Sequence, residues 1–374
     1  MKKPQLLWLN ISVFTLTGLI TLIGVPAYAF IHGFDGWQIA AMVIGIAICE
    51  ISITAGYHRL WSHRSYEAHW LLRLALALGG TFATQNSILH WASDHRRHHR
   101  FVDDDQKDPY SAGRGFWYSH IGWMLRDYDT EHDTQYSNCR DLQQDAIVMW
   151  QHRHYMPLVL SLNFGIPVAL GVWHGDILGM LLLAGVARLA ISHHLTFFIN
   201  SLAHIWGKQP YSDSNSSRDN SVLALLTMGE GYHNYHHSFQ RDYRNGIRWW
   251  QFDPTKWLIR SMAWLGLAKN LYRTPSERIE ACRAQMLLIS TSRKLAQLPH
   301  ADALILRLQQ EYEKLLNRIN EFSQAKKQWL EASKNSVLEN YDLDELKTKV
   351  ETLKTNFLQQ RKNWLMLNQR IICS

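Results

Sequence analysis

The sequence predicts an all-α integral membrane protein: four transmembrane helices under a helical cap on the cytosolic side, then a soluble helical extension. Three observations carry that expectation. Four long apolar runs fall within the first 275 residues and pair into two hairpins. Three short histidine clusters stand where those hairpins return the chain to one side. Residues 276–374 replace the apolar runs with charged, heptad-spaced segments.

Met1-Lys2-Lys3 precede the first run, Leu6–Ile31, which is too long for a signal-peptide core. A second run, Trp37–Ala55, follows at once, so the pair reads as an uncleaved hairpin. It returns the chain to the side of Lys2 and Lys3, amid Arg59, Arg64 and Arg73, and the positive-inside rule makes that side cytoplasmic. Leu71–Leu89 is apolar but broken by Gly79-Gly80, Thr81, Thr84, Gln85 and Asn86. If it crossed the membrane, the clusters on either side of it would face opposite compartments, so it reads as interfacial or re-entrant. Phe101–Gln151 is polar, and its Asp103-Asp104-Asp105 run reads as solvated surface. A second hairpin, Tyr155–Trp173 and Ile177–Ile199, then brings the third cluster to the side of the first two. Both termini and all three clusters are expected to face the cytoplasm.

The mean hydropathy of −0.23 averages an apolar part and a charged one. Sixteen tryptophans and fifteen tyrosines suit aromatic belts at two membrane interfaces. A net charge of +7 raises nucleic acid as a partner, but the basic residues cluster beside apolar spans, which points to a membrane face instead. Cys49, Cys139, Cys282 and Cys373 are scattered without a CxxC, which argues against a disulfide framework and a thiolate metal site.

The clusters carry the chemistry. His95, His98 and His99 stand at i, i+3 and i+4, as do His233, His236 and His237, so each trio falls on one side of a helical turn. His58 and His63 form a wider pair. A solvated turn explains any one cluster but not three, and neutral imidazole suits iron, zinc, copper or nickel. Asp94 and Glu230, each beside a cluster, are candidate acceptors for ligand N–H groups or else helix-end charges. The chain has no His-Pro-Gly-Gly haem motif, ferredoxin cysteine spacing or Gly-x-Gly-x-x-Gly fingerprint, so any electrons must come from a separate protein.

The segments HRLWSH, HRRHH and HNYHH resemble the three histidine boxes of the membrane acyl-CoA Δ9 desaturases, the stearoyl-CoA desaturase family. The flanks Ile53-Thr54-Ala55-Gly56, Gly229-Glu230-Gly231 and His237-Ser238-Phe239 are similar too, and the likeness runs from roughly residue 10 to 270. The resemblance implies an O2-dependent enzyme that inserts a cis double bond into a stearoyl- or palmitoyl-CoA chain at two irons. It implies His204 as a ninth ligand and Asn200 as the holder of a metal-bound water. Zinc is content with three or four ligands, so nine imidazoles argue for two metals. The resemblance also implies an acyl tunnel kinked at Gln85, Trp91 and Thr196, and an external electron donor, ferredoxin or cytochrome b5 with its reductase. His193 and His194 match no ligand position. Ser93 and Gly113 stand where the family has basic residues that hold the CoA phosphates, with Arg114 kept. A di-iron hydroxylase of acyl chains or alkanes, and a non-enzymatic membrane metal-binding or transport protein, remain as other readings.

The expected division is a catalytic membrane domain, 1–275, and an extension, 276–374. In the extension Pro299 closes a first helix. Ile305, Leu308, Tyr312, Leu315, Ile319, Phe322 and Trp329 then form a seam with Lys326 intruding; Leu346, Val350, Leu353, Phe357, Trp364 and Leu367 form another with Gln360 intruding. The pattern fits a hairpin within one chain or self-association as a coiled coil between chains.

Overall fold

The computed structural model describes residues 4–128, 135–299, 301–335 and 340–373. Lys2 and Lys3, used above for orientation, lie outside the described residues. The chain divides into two compact units, Met1–Lys208 with Ser214–Arg273, and Gln209–Asp213 with Thr274–Ser374.

In the first unit, four helices among the described residues are long and apolar enough to cross a membrane. They are α1 (Trp8–Ile31), α2 (Gly36–Ser62), α5 (Tyr155–His174) and α6 (Ile177–Ile205). Between the hairpins lie α3 (Trp70–Phe82) and α4 (Ile88–Phe101), which starts at the Ser87 N-cap. At 13 residues α3 is about 20 Å long, short of a hydrocarbon core of about 30 Å. That length is too short to cross by itself. Two-residue ladders join Gln5–Leu6 to Arg126–Asp127 and Glu67–Ala68 to Ala268–Lys269.

Both hairpin turns share one end. Asp35 caps α2 in a reciprocal box with Gln38, whose Nε2 donates to Asp176 Oδ2 at 2.6 Å. The Tyr28 hydroxyl donates to the other Asp176 oxygen at 2.8 Å, so one carboxylate from the second turn ties down both arms of the first hairpin. The histidine clusters therefore sit at the opposite end.

Two helices run past their apolar stretches. The hydropathy of the second run fades at Ala55, but α2 continues to Ser62 because Ser52–Ser62 is wound as a π-helix. The His63 amide donates to the His58 carbonyl, five residues back. Such turns recur at functional sites. Here the wider winding brings residues five apart onto one side, which an α-helix would splay, so the odd spacing of the first box becomes a convergent pair. The fourth run likewise extends from Ile199 to Ile205, bending at Ser201 (φ −110°, ψ −74°). The glycines at the end of α3 are needed for contact with this π segment, since a Cβ at Gly79 would overlap Ser52 and one at Gly80 would overlap Tyr57.

In the second unit three helices, Ser276–Leu295, Asp302–Asn335 and Asn340–Cys373, pack together. Leu308, Leu315, Ile319, Phe322, Phe357 and Trp364 are buried together, and the Phe322 and Phe357 rings stack at 5.9 Å. The two seams thus cover each other within one chain. Both intruding polar residues find partners: Lys326 Nζ lies 2.5 Å from Glu277, and Gln360 Nε2 donates to Glu311 at 2.8 Å. The connection at 336–339 lies outside the described residues.

Candidate metal centre

The nine histidines come from four different helices. His95, His98 and His99 face inward from the last turns of α4. His233, His236 and His237 come from a short helix, α7 (His233–Ser238), and His58 and His63 from the π end of α2. His204 stands just past the Ser201 bend of α6.

The nine imidazoles gather into two groups, each with its ligand atoms within 4.8 Å of one another: His58, His63, His95, His99 and His236; and His98, His204, His233 and His237. In the first, Nε2 atoms face each other at 3.0 Å (His58–His236), 2.8 Å (His63–His95) and 2.9 Å (His236–His99). In the second they do so at 3.4 Å (His98–His237), 3.1 Å (His204–His233) and 3.1 Å (His233–His237). Adjacent residues divide between the groups, His98 from His99 and His236 from His237. The rings of His99 and His237 stack at 4.3 Å, so the groups are neighbours.

The donor set fits metal. Four or five nitrogens aimed at one point cannot all be satisfied by sharing protons, whereas a cation with imidazole bonds of roughly 2.0–2.1 Å satisfies every lone pair at once. Eight of the nine rings are buried and His99 is partly so. Burial first, and neighbouring imidazoles second, hold His63, His95, His99, His233, His236 and His237 well below the usual imidazole range, so each stays neutral with a free lone pair.

Several Nδ1 atoms are held from behind. His58 Nδ1 lies 3.1 Å from Glu230 Oε2. That carboxylate also accepts from Arg59 at 2.9 Å and Asn245 at 2.8 Å, and Arg59 reaches on to Asp253. Burial alone would raise the Glu230 carboxyl, but His58 and Arg59 outweigh it and bring it down to about 2. His98 Nδ1 sits between both oxygens of Asp108, at 2.9 and 3.0 Å. His95 Nδ1 is 3.2 Å from the Tyr110 hydroxyl. His204 Nδ1 is 2.7 Å from Ser216 Oγ, which donates to Asp103 Oδ1 at 2.6 Å. Sequence reasoning missed Asp108, Tyr110 and Ser216, and it took Asp103 for solvated surface. In fact Asp103 adopts a left-handed backbone (φ 66°) and turns its carboxylate to Ser216. Asp105 is the exposed member of that run, while Asp104 is half-buried and accepts from the Gln106 and Lys107 amides.

Of the other predicted residues, Asp94 stands 3.3 Å from His90 Nε2 rather than against either group. Asn200 is the last residue before the Ser201 bend, so it and His204 do not share a straight helical turn. Gln85 Nε2 donates to Thr196 Oγ1 at 2.8 Å, and Trp91 stacks on His95 at 4.7 Å. Ser93 is tied to Asn138 at 2.8 Å, and at Gly113 a side chain would press on Asp105. Arg114 lies 3.7 Å from the Tyr118 ring centroid.

The family model described as "Fatty acid desaturase" matches residues 35–268, which hold all nine histidines. The chain is 47% identical over 239 residues to a "Probable acyl-CoA desaturase" of Schizosaccharomyces pombe, covering 64% of this chain and 50% of that protein. It is 44% identical over 253 residues to "Acyl-CoA desaturase 1" of Saccharomyces cerevisiae, covering 67% and 49%. Against "Stearoyl-CoA desaturase 5" of Bos taurus the figures are 35% over 287 residues, 76% and 84%. The chain thus spans about half the length of the two yeast relatives and most of the bovine one. With four candidate spans, two imidazole groups and a family match that encloses both, the chain belongs to the fatty acid desaturase family.

Proposed function

We propose that the chain is an O2-dependent acyl desaturase that inserts a cis double bond, at carbon 9, into stearoyl- or palmitoyl-CoA. The observation that carries this reading is the gathering of nine imidazoles into two adjacent groups at one end of four membrane spans. Two irons held there supply, when bound, the oxidising power needed to take hydrogen from unactivated CH2 groups. The protein's share is to position and to exclude. Glu230, Asp108, Tyr110 and Ser216 hold imidazole Nδ1 atoms from behind, so each Nε2 faces inward. Burial keeps water from competing for the same positions. Trp91, stacked on His95, and the Gln85–Thr196 pair line the path along which the acyl chain lies beneath the histidines. Asn200 would hold a metal-bound water. An external ferredoxin or cytochrome b5, with its reductase, supplies the electrons.

The test is the fatty-acid profile of a host expressing the chain with a reductase system. New cis-Δ9 acids are the expected result. New hydroxy acids would instead favour a hydroxylase, and an unchanged profile with metal bound would favour a binding or transport protein.

The clusters and both termini face the cytoplasm in this reading. Cysteine at His32, in the first hairpin turn, should then react with an impermeant thiol reagent added to intact cells, and cysteine at the exposed Gln106 should react only after lysis. External labelling at Gln106 would reverse the orientation.

A further inference from the structure

Glu50 on α2 and Ser192 on α6 are almost fully buried and belong to neither imidazole group. Ser192 Oγ donates to Glu50 Oε1 at 2.6 Å, while Oε2 is buried with no hydrogen-bond partner. No ion pair among the described residues includes this carboxyl. The buried cation of α6, Arg188, donates instead to the Phe82 carbonyl, Asn163 Oδ1 and the Ala184 carbonyl. An ionisable group inside a span costs free energy and is kept where it serves function.

One turn beyond Ser192 stands Thr196. Threonines in helices choose between rotamers, one of which folds the hydroxyl back on the carbonyl four residues earlier. Thr17, Thr21 and Thr81 each make that bond, at 2.7 Å. Thr196 does not bond back to Ser192; its oxygen is turned outward to accept from Gln85 Nε2 at 2.8 Å. A hydroxyl that accepts still has its own proton to donate. Thr196 stands four residues on from Ser192, on the same face of α6, so the buried Oε2 of Glu50, which has no partner of its own, is the acceptor offered to that proton.

We propose that Glu50 is a positioning residue for desaturation: through the chain Ser192–Glu50–Thr196–Gln85 it fixes the Gln85–Thr196 bond, and so which carbon pair is presented to the metals. The proposal rests on the reading of Gln85, Trp91 and Thr196 as walls of the acyl path. Without the carboxyl, Thr196 is free to turn back to the Ser192 carbonyl and release Gln85.

The experiment supplies stearoyl-CoA, O2 and a reductase system to the full-length protein in lipid vesicles and reads double-bond positions by mass spectrometry, with metal counted per chain. Wild type should give a single positional isomer. Glu50→Leu should lose roughly tenfold in positional discrimination, spreading product to neighbouring carbons at unchanged metal content. Glu50→Gln, which keeps an acceptor oxygen, should restore the single isomer, and Ser192→Ala should spread product less than Glu50→Leu. A packing role alone would lower yield and leave position untouched. One unchanged isomer from Glu50→Leu overturns the proposal; if that variant does not accumulate, one unchanged isomer from Ser192→Ala overturns it. A wild type that makes no unsaturated product would overturn the desaturase reading instead.

Discussion

Alanine at His98, His233 or His237 is expected to leave one metal per chain, whereas alanine at His58, His95 or His236 leaves two. The difference follows from the sizes of the groups. The first three residues belong to the group of four imidazoles, and losing one leaves three nitrogens with no spare. The other three belong to the group of five, which still has four after the loss, a complete set for a tetrahedral ion. Turnover should fall in both series by about a hundredfold or more, because even groups that only orient a metal ligand are worth 10–100-fold. Metal content and activity therefore separate in one series and fall together in the other. Elemental analysis of purified protein, beside product formation, reads both. Equal metal loss from the two series would show that the nine imidazoles form one site rather than two.

The histidines were legible because their information is local. Residues at i, i+3 and i+4 share a helix face whatever surrounds them, so boxes two and three could be read as convergent without a fold. Box one needed more. A spacing of five converges only on a π-wound backbone, and that winding is a matter of hydrogen-bond register, which the residue types HRLWSH do not display. The groups behind the ligands divide in the same way. Asp94 precedes His95 on one continuous helix, so it is swung round the axis from its neighbour and meets His90, one turn back. Glu230 precedes His233 in a turn instead, between Gly229 (φ 104°) and Gly231, where a Cβ would overlap the backbone of Ala224. That turn frees Glu230 to face His58 on another element. Asp108 and Ser216 were out of reach for a third reason. Each acts on a ligand ten or twelve residues away in sequence through a loop whose path is set by tertiary contacts, not by any periodic pattern. The spans followed from hydropathy because lipid demands it, and their ends did not, because polar residues continue both α2 and α6.

Glu230→Ala is expected to be the most damaging change outside the ligands, for a reason that separates it from Glu230→Gln. The carboxylate is 2% exposed and meets three groups at once: His58, Arg59 and Asn245. Alanine leaves Arg59, itself 1% exposed, with Asp253 as its one remaining anionic partner and strips the acceptors from His58 Nδ1 and Asn245 Nδ2. Removing one partner of a buried ion pair costs about 3–5 kcal/mol where the other charge is left unpaired, and with Asp253 still facing Arg59 the loss should fall below that range. The midpoint of thermal unfolding in detergent should drop accordingly. Glutamine keeps an oxygen for His58 and fills the same space, but it withdraws the charge facing Arg59. It should recover part of the stability and keep the His58 ring turned inward, so turnover is largely kept while the protein melts early. Alanine should lose stability and turnover together, because His58 is then free to rotate its Nε2 out of the five-imidazole group, although the four imidazoles left there still hold a metal. The comparison therefore separates the two duties of this carboxylate, neutralising Arg59 and orienting His58. If Glu230→Ala melts with wild type and retains full turnover, neither duty is real, and His58 is aligned by the π-helix alone.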